Sequence, residues 1–146
     1  MLSDLNINRA SSADAPRLGD VIYCREGARF GNAARIRNEL NICLGQRMMI
    51  LRPDRAMTVT EYIWAFLSSR AGNDQAFRLV GGSASPHINI RDIKTFRLPL
   101  PPISVQREFS RRVCAVDDLK DCQQRSMQGM DSCFTSLQHR AFQGEL

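Results

Sequence analysis

Arg25, Arg29, Arg35 and Arg37 crowd one short stretch that also holds Gly27, Gly31 and Asn32, with Glu26 as its only opposing charge. Glycine lets a backbone come close to a phosphate, while arginine and asparagine fork onto base edges or phosphate oxygens. That set suits holding an anionic polymer rather than turning over a substrate. The same residues could equally form a hairpin with a solvated basic face. A second polar group comes in the loop Ser83–Asn89, where Ser83, Ser85, His87 and Asn89 alternate with small or apolar residues. His87 could cap, pack or touch a ligand there, while His139, the other histidine, lies among helix-surface positions. The chain has no phosphate-cradling lysine loop, dinucleotide glycine fingerprint, zinc spacing, nucleophile elbow or paired-carboxylate nuclease pattern. The base-gripping tetrapeptide of methyltransferases is absent too. Neither an enzyme nor a cofactor is implied. Cys24, Cys43, Cys114, Cys122 and Cys133 form an odd set without a CxxC pair. They read as reduced thiols of a cytoplasmic protein.

Alternating strands and helices are expected to position these groups. Leu2–Ile7 could be a short strand before a Ser/Ala/Asp-rich lead-in. Val21–Cys24 is a buried strand after the Gly19-Asp20 turn, Ala33–Arg37 its return, and Arg47–Arg52 a further strand stopped by Pro53. Thr58–Arg70 turns helical, with Tyr62, Ile63, Trp64, Phe66 and Leu67 as the apolar face and Gly72 as its end. A second helix is expected at Asn73–Val80 and a brief turn at Ile90–Lys94. Phe96–Leu100 looks like a strand that Pro99 confines to an edge or a strand end, and Ser104 is a plausible N-cap for a long C-terminal helix.

From Phe109 onward a ladder with a mean spacing of 3.5 runs Phe109, Val113, Val116, Lys120, Gln123, Met127, Met130, Phe134, Leu137, Ala141. Only Lys120 and Gln123, side by side in its middle, are polar. This is a coiled-coil seam, and the helix carrying it would be about 57 Å long. Phe109 and Val113 could fold back on the adjoining domain, but the far rungs lie beyond its reach and ask for another chain. The fold class is therefore a mixed α/β (α+β) globular domain, residues 1–102, followed by one long coiled-coil helix in residues 103–146. The net charge of +5 sits wholly in the first part, and only Lys94 and Lys120 among the 20 basic residues are lysine. That bias favours nucleic acid, although a GC-rich genome would produce it as well. No apolar run is long enough for a membrane span.

Several segments, taken in order, resemble the specificity subunit of type I restriction–modification systems. They begin with Leu18-Gly19-Asp20-Val21-Ile22, the Arg25–Gly31 loop, Leu44–Pro53 and Tyr62–Ser69. Gly82–Asn89, Leu98–Arg107 and the terminal Arg140–Leu146 complete the set. The resemblance implies a non-catalytic, target-recognition-type domain that reads double-stranded DNA. It also implies a long helix serving as a ruler, and methyltransferase and motor-nuclease subunits as partners that do the chemistry. Arg25, Arg29, Asn32, Arg35, Arg37, Ser83, Ser85, His87 and Asn89 are then the expected DNA contacts. Phe109 to Leu137 of the ladder are the expected dimer interface.

A full specificity subunit carries two such domains and two antiparallel helices, whereas this sequence has one of each. Two copies could rebuild the whole about a twofold axis and read an inverted repeat. Lys120 and Gln123 would then face each other across the pair and set its register. Only 18 residues precede the Gly-Asp strand, fewer than the family usually has. An alternative is therefore a truncated interaction protein that keeps the coiled coil and has lost sequence-specific readout.

Overall fold

The computed structural model describes residues 15–39, 42, 44–80 and 86–145. The expected strand at Leu2–Ile7 and the loop positions Ser83 and Ser85 lie outside them. The chain divides into two compact units, one ending at Ser110 and the other starting at Arg111.

In the first unit β1 (Val21–Cys24) is the centre of a three-stranded antiparallel sheet, flanked by β2 (Ala33–Arg35) and β3 (Met48–Leu51). The register pairs Tyr23 with Ala33 on one side and with Met49 on the other. Side chains alternate across a strand, so Val21, Tyr23, Met49 and Leu51 share the face that enters the core. Burial pushes the Tyr23 phenol up to about 12, and the electrostatic influence of the neighbouring Cys24 adds to the rise.

Helix α1 (Thr60–Ser68) lays Ile63 and Leu67 on that face. Its Trp64 ring nitrogen donates to the carbonyl of Ala33 at 3.1 Å. Ala33 lies on the outer edge of the sheet, where an unpaired carbonyl would otherwise invite another strand. The break after α1 comes at Ser69 rather than at Gly72. The Ser69 hydroxyl donates to Phe66 O at 2.6 Å and accepts the Gly72 N–H at 3.3 Å, so one residue closes α1 and opens α2 (Arg70–Val80). Gly72 sits inside α2 for a packing reason. A β-carbon there would run into the Phe66 carbonyl and lie 3.0 Å from Leu67 Cα.

After α3 (Ile90–Ile93), the segment Phe96–Leu100 was expected as a strand and pairs with none. Side chains satisfy its backbone instead. Gln75 brackets Arg97, accepting its N–H at 2.7 Å and donating to its carbonyl at 3.3 Å, and the Tyr62 hydroxyl donates to Pro99 O at 3.0 Å. With those groups taken, Phe96 and Leu98 still reach the core.

Helix α4 runs from Ile103 to Gln143, starting one residue before Ser104, which is therefore inside the helix rather than its cap. Its first two turns belong to the first unit. Gln106, 1% exposed, accepts from the Thr58 hydroxyl at 2.8 Å and from the Val59 N–H at 3.4 Å. It donates to Pro101 O at 2.9 Å and to Met57 O at 3.2 Å. Phe109 stands edge-on to Tyr62, centroids 5.9 Å apart, and Ser110 donates to Glu61 at 2.7 Å. In the second unit the helix surface is open. Val116, Met127, Met130, Phe134 and Leu137 are all exposed, as are Lys120 and Gln123, while Val113 is half-buried.

Gln106→Ala would leave the buried Thr58 hydroxyl and two carbonyls without partners. We expect a loss of about 2–3 kcal/mol of stability, read from urea unfolding. A change near zero would show that water satisfies these groups.

Candidate nucleic-acid interface

The loop after β1 is closed by backbone bonds. Phe30 N–H donates to Gly27 O and Gly31 N–H to Cys24 O, both at 2.9 Å. Phe30 itself is buried and meets Phe77 edge-on at 5.3 Å, which plugs the loop into the domain. Gly31 has φ +85, and a β-carbon there would fall 2.8 Å from Asn73 Oδ1. Only glycine satisfies both constraints.

The second polar loop docks on the first. Ile88 N–H donates to Arg25 O at 3.0 Å and Gly27 N–H to Pro86 O at 3.2 Å, pairing Glu26 with His87 as an isolated bridge. Residues more than sixty positions apart in sequence thereby meet at the Cys24 end of the sheet. Arg25 is oriented from two sides: its Nε donates to Gln46 O at 3.0 Å and its Nη1 to His87 Nε2 at 3.3 Å. An arginine can only donate, so that contact assigns the lone pair to Nε2 and the hydrogen to Nδ1, which faces Glu26 Oε2 at 3.3 Å. The 3.4 Å approach of Asn89 Oδ1 to Nε2 needs a hydrogen on Nε2 instead. Arg25 and Asn89 therefore compete for one ring nitrogen. Asn89 also donates to Asp92 at 3.3 Å.

The expected contact residues divide into three groups. Arg25, His87 and Asn89 form this cluster. Arg29 and Asn32 line an adjoining cleft of about 380 Å³, together with Ser68, Asn73, Ile22 and Met48. Arg35 and Arg37 are elsewhere. The Arg35 side chain is 7% exposed, with its guanidinium 4.2 Å from the Trp64 ring and 3.7 Å from Glu61. It packs the edge of the sheet instead of reaching the Arg25 cluster. Arg37 is exposed beyond β2, at the opposite end of the sheet. Sequence reasoning treated Glu26 only as an opposing charge, yet it holds the imidazole. It also missed Gln46 and Arg47, whose Nη1 lies 3.8 Å from where a β-carbon on Gly27 would stand. Nothing in the residue types of the third strand signals that its leading turn meets Arg25.

Among the described residues no helix is long and apolar enough to cross a membrane, and no group of histidine, cysteine or carboxylate side chains could hold a metal ion. The cluster offers guanidinium and amide donors with imidazole and carboxylate acceptors, the groups that read base edges and phosphates.

The chain is similar to the type I restriction enzyme EcoBI specificity subunit of Escherichia coli, 24% identical over 134 residues, covering 89% of this chain and 28% of that protein. It is also similar to the putative type I restriction enzyme MjaX specificity subunit of Methanocaldococcus jannaschii, 19% identical over 105 residues and covering 72% and 24% of the two. Among solved structures, a chain from a type I R-M system studied for its complex assembly and conformational transition matches with a TM-score of 0.59 at 19% identity, over 74% of this chain and 28% of that one. The HsdS subunit from Thermoanaerobacter tengcongensis matches with a TM-score of 0.57 at 21% identity, over 73% and 28%. These two likenesses show a shared fold. The present chain spans about a quarter of the length of such relatives, 24–28%. A family model, the type I restriction modification DNA specificity domain, matches residues 3–127, and the chain belongs to that family.

Proposed function

We propose that the chain is a DNA-reading half of a specificity subunit, with Arg25, His87 and Asn89 as the centre of its contact surface and Arg29 and Asn32 beside them. The observation that carries this reading is the docking of the Pro86–Asn89 segment on the Arg25–Gly27 turn, which assembles forked donors on one rigid edge of a domain of this family. Catalysis falls to methyltransferase and motor-nuclease subunits, as partners of the assembled specificity unit.

The second element of the proposal is an antiparallel homodimer through α4. Its exposed seam alternates in the a and d positions, and in an antiparallel pair each a layer meets a d layer of the other helix. With the twofold axis between Asp121 and Cys122, Lys120 meets the partner's Gln123 and Val116 meets the partner's Met127. Val113 then meets the partner's Met130, and Phe109 the partner's Phe134. Polar rungs stay with polar rungs. Sliding one helix by a heptad sets Lys120 against the partner's Met130 or the partner's Val116, burying a charge on an apolar side chain. Polarity therefore selects one register.

Arg25→Ala is expected to weaken binding to duplex DNA by about 1–3 kcal/mol in fluorescence anisotropy. Arg35→Ala should instead lower the unfolding midpoint, leaving the affinity of the folded protein near wild type. The reverse pattern would relocate the contact surface. For the dimer, the background has Cys43, Cys114, Cys122 and Cys133 replaced by serine, leaving only the buried Cys24. In it, a mixture of Val116→Cys and Met127→Cys chains should form a disulfide dimer on mild oxidation, and neither chain should do so alone. Cross-linking of each variant with itself, or a monomer by light scattering, would contradict the antiparallel register.

A further inference from the structure

The other end of the sheet carries a second concentration of positive charge that the Arg25–Arg37 stretch does not account for. A cavity of about 230 Å³ there is lined by Arg17, Arg52, Arg55, Asp20, Gly19 and Thr60, among others. Asp20 is the only carboxylate of its lining and is fully committed. It is buried, holds Arg52 through two bonds of 2.8 Å, and accepts the Arg17 backbone N–H at 2.8 Å. One of the three positive charges is thereby neutralised. Arg17 and Arg55 bring the other two. Both are exposed, and among the described residues neither guanidinium makes a hydrogen bond or ion pair.

Local geometry holds these groups at the cavity. Gly19 has φ +90, and a β-carbon on it would lie 3.3 Å from Arg55 Nη2, so the guanidinium rests against bare backbone. The Thr60 hydroxyl ties the same glycine down, donating to Gly19 O at 2.6 Å. Thr60 is also the first residue of α1, and no side chain caps that helix. The positive end of its dipole therefore adds to the two guanidiniums.

We propose that this cavity binds phosphate oxygens, with Arg17 and Arg55 as forked donors and the Asp20–Arg52 pair as the rigid wall that orients them. Guanidinium forks match phosphate geometry in two-point contact. Two sources share this chemistry: a diester of the DNA backbone and a free phosphate. The first rests on the proposed DNA-reading role, since four-residue β1 separates this cavity, at Asp20, from the Arg25 cluster by only about 17 Å of strand. That span fits two contacts along one duplex, one positioning and one reading.

The test uses the full chain and its Arg17→Ala/Arg55→Ala form, with Arg17→Lys/Arg55→Lys as a charge-preserving control for folding. Two quantities are measured: the salt dependence of binding to a short duplex, and the unfolding midpoint in potassium phosphate against chloride of equal ionic strength. Backbone binding predicts weaker duplex affinity for the alanine form, with a log–log salt slope shallower by about 1. A free-phosphate site predicts an unchanged slope and a phosphate-induced rise in midpoint that the alanine form loses. If the wild type binds no duplex, the DNA reading falls and the phosphate measurement alone decides the site. Alanine and wild-type forms that agree in both measurements would overturn the proposal.

Discussion

One buried amide governs how the first unit is assembled. Gln106 has two acceptor directions and two donor hydrogens, and all four are used on the backbone or side chains of Met57, Thr58, Val59 and Pro101. Those residues are the entrances to α1 and α4. A shorter polar side chain could not span them, and an apolar one would strand the Thr58 hydroxyl out of water. Fixing the entrance of α1 fixes the rest in turn. Trp64 is delivered to the outer edge of β2, where it covers Ala33 O and gives Arg35 a surface to lie on. Ile63 and Leu67 are delivered to the core face of the sheet. The loop that presents Arg25 hangs from that sheet, so the proposed reading surface inherits its precision from a side chain far from it in sequence.

Much of this architecture is legible in the residues alone. Val21–Cys24 and Met48–Leu51 read as strands because apolar, β-branched and flanking turn residues agree there, and the ladder from Phe109 announces a long helix. The misreadings share a cause: side chains taking on bonds that sequence patterns assign to backbone. Phe96–Leu100 has the alternation of a strand, but Gln75 and Tyr62 occupy its hydrogen-bonding groups. Gly72 resembles a helix stop, but it is glycine because the end of α1 lies on it, and Ser69 supplies the stop. The site shows the same limit. The residue types of the basic stretch are right as chemistry, yet four arginines close in sequence are distributed to three places by strand direction and by Trp64. His87 joins Arg25 only through a pairing between distant loops.

The proposed function gives these features of a chain of the type I restriction modification DNA specificity domain family a common purpose. A reader needs rigid donors, and a cluster braced by Gln46 O and Glu26 supplies them with little freedom left to lose on binding. A ruler needs a seam whose register cannot slip. In the proposed antiparallel pair, adjacent polar rungs in an otherwise apolar stripe supply that at some cost in stability. Phe109 connects the two roles, since it faces Tyr62 in the first unit and begins the seam.

The proposed function puts two copies of one reader at a fixed separation on DNA. Selection of bound duplexes from a fully randomised pool, followed by sequencing, addresses it most directly. The expected result is enrichment of an inverted repeat whose half-sites are identical and whose spacer has a single length. Recovery of one unrepeated motif, of repeats with freely varying spacers, or of no motif at all would contradict it.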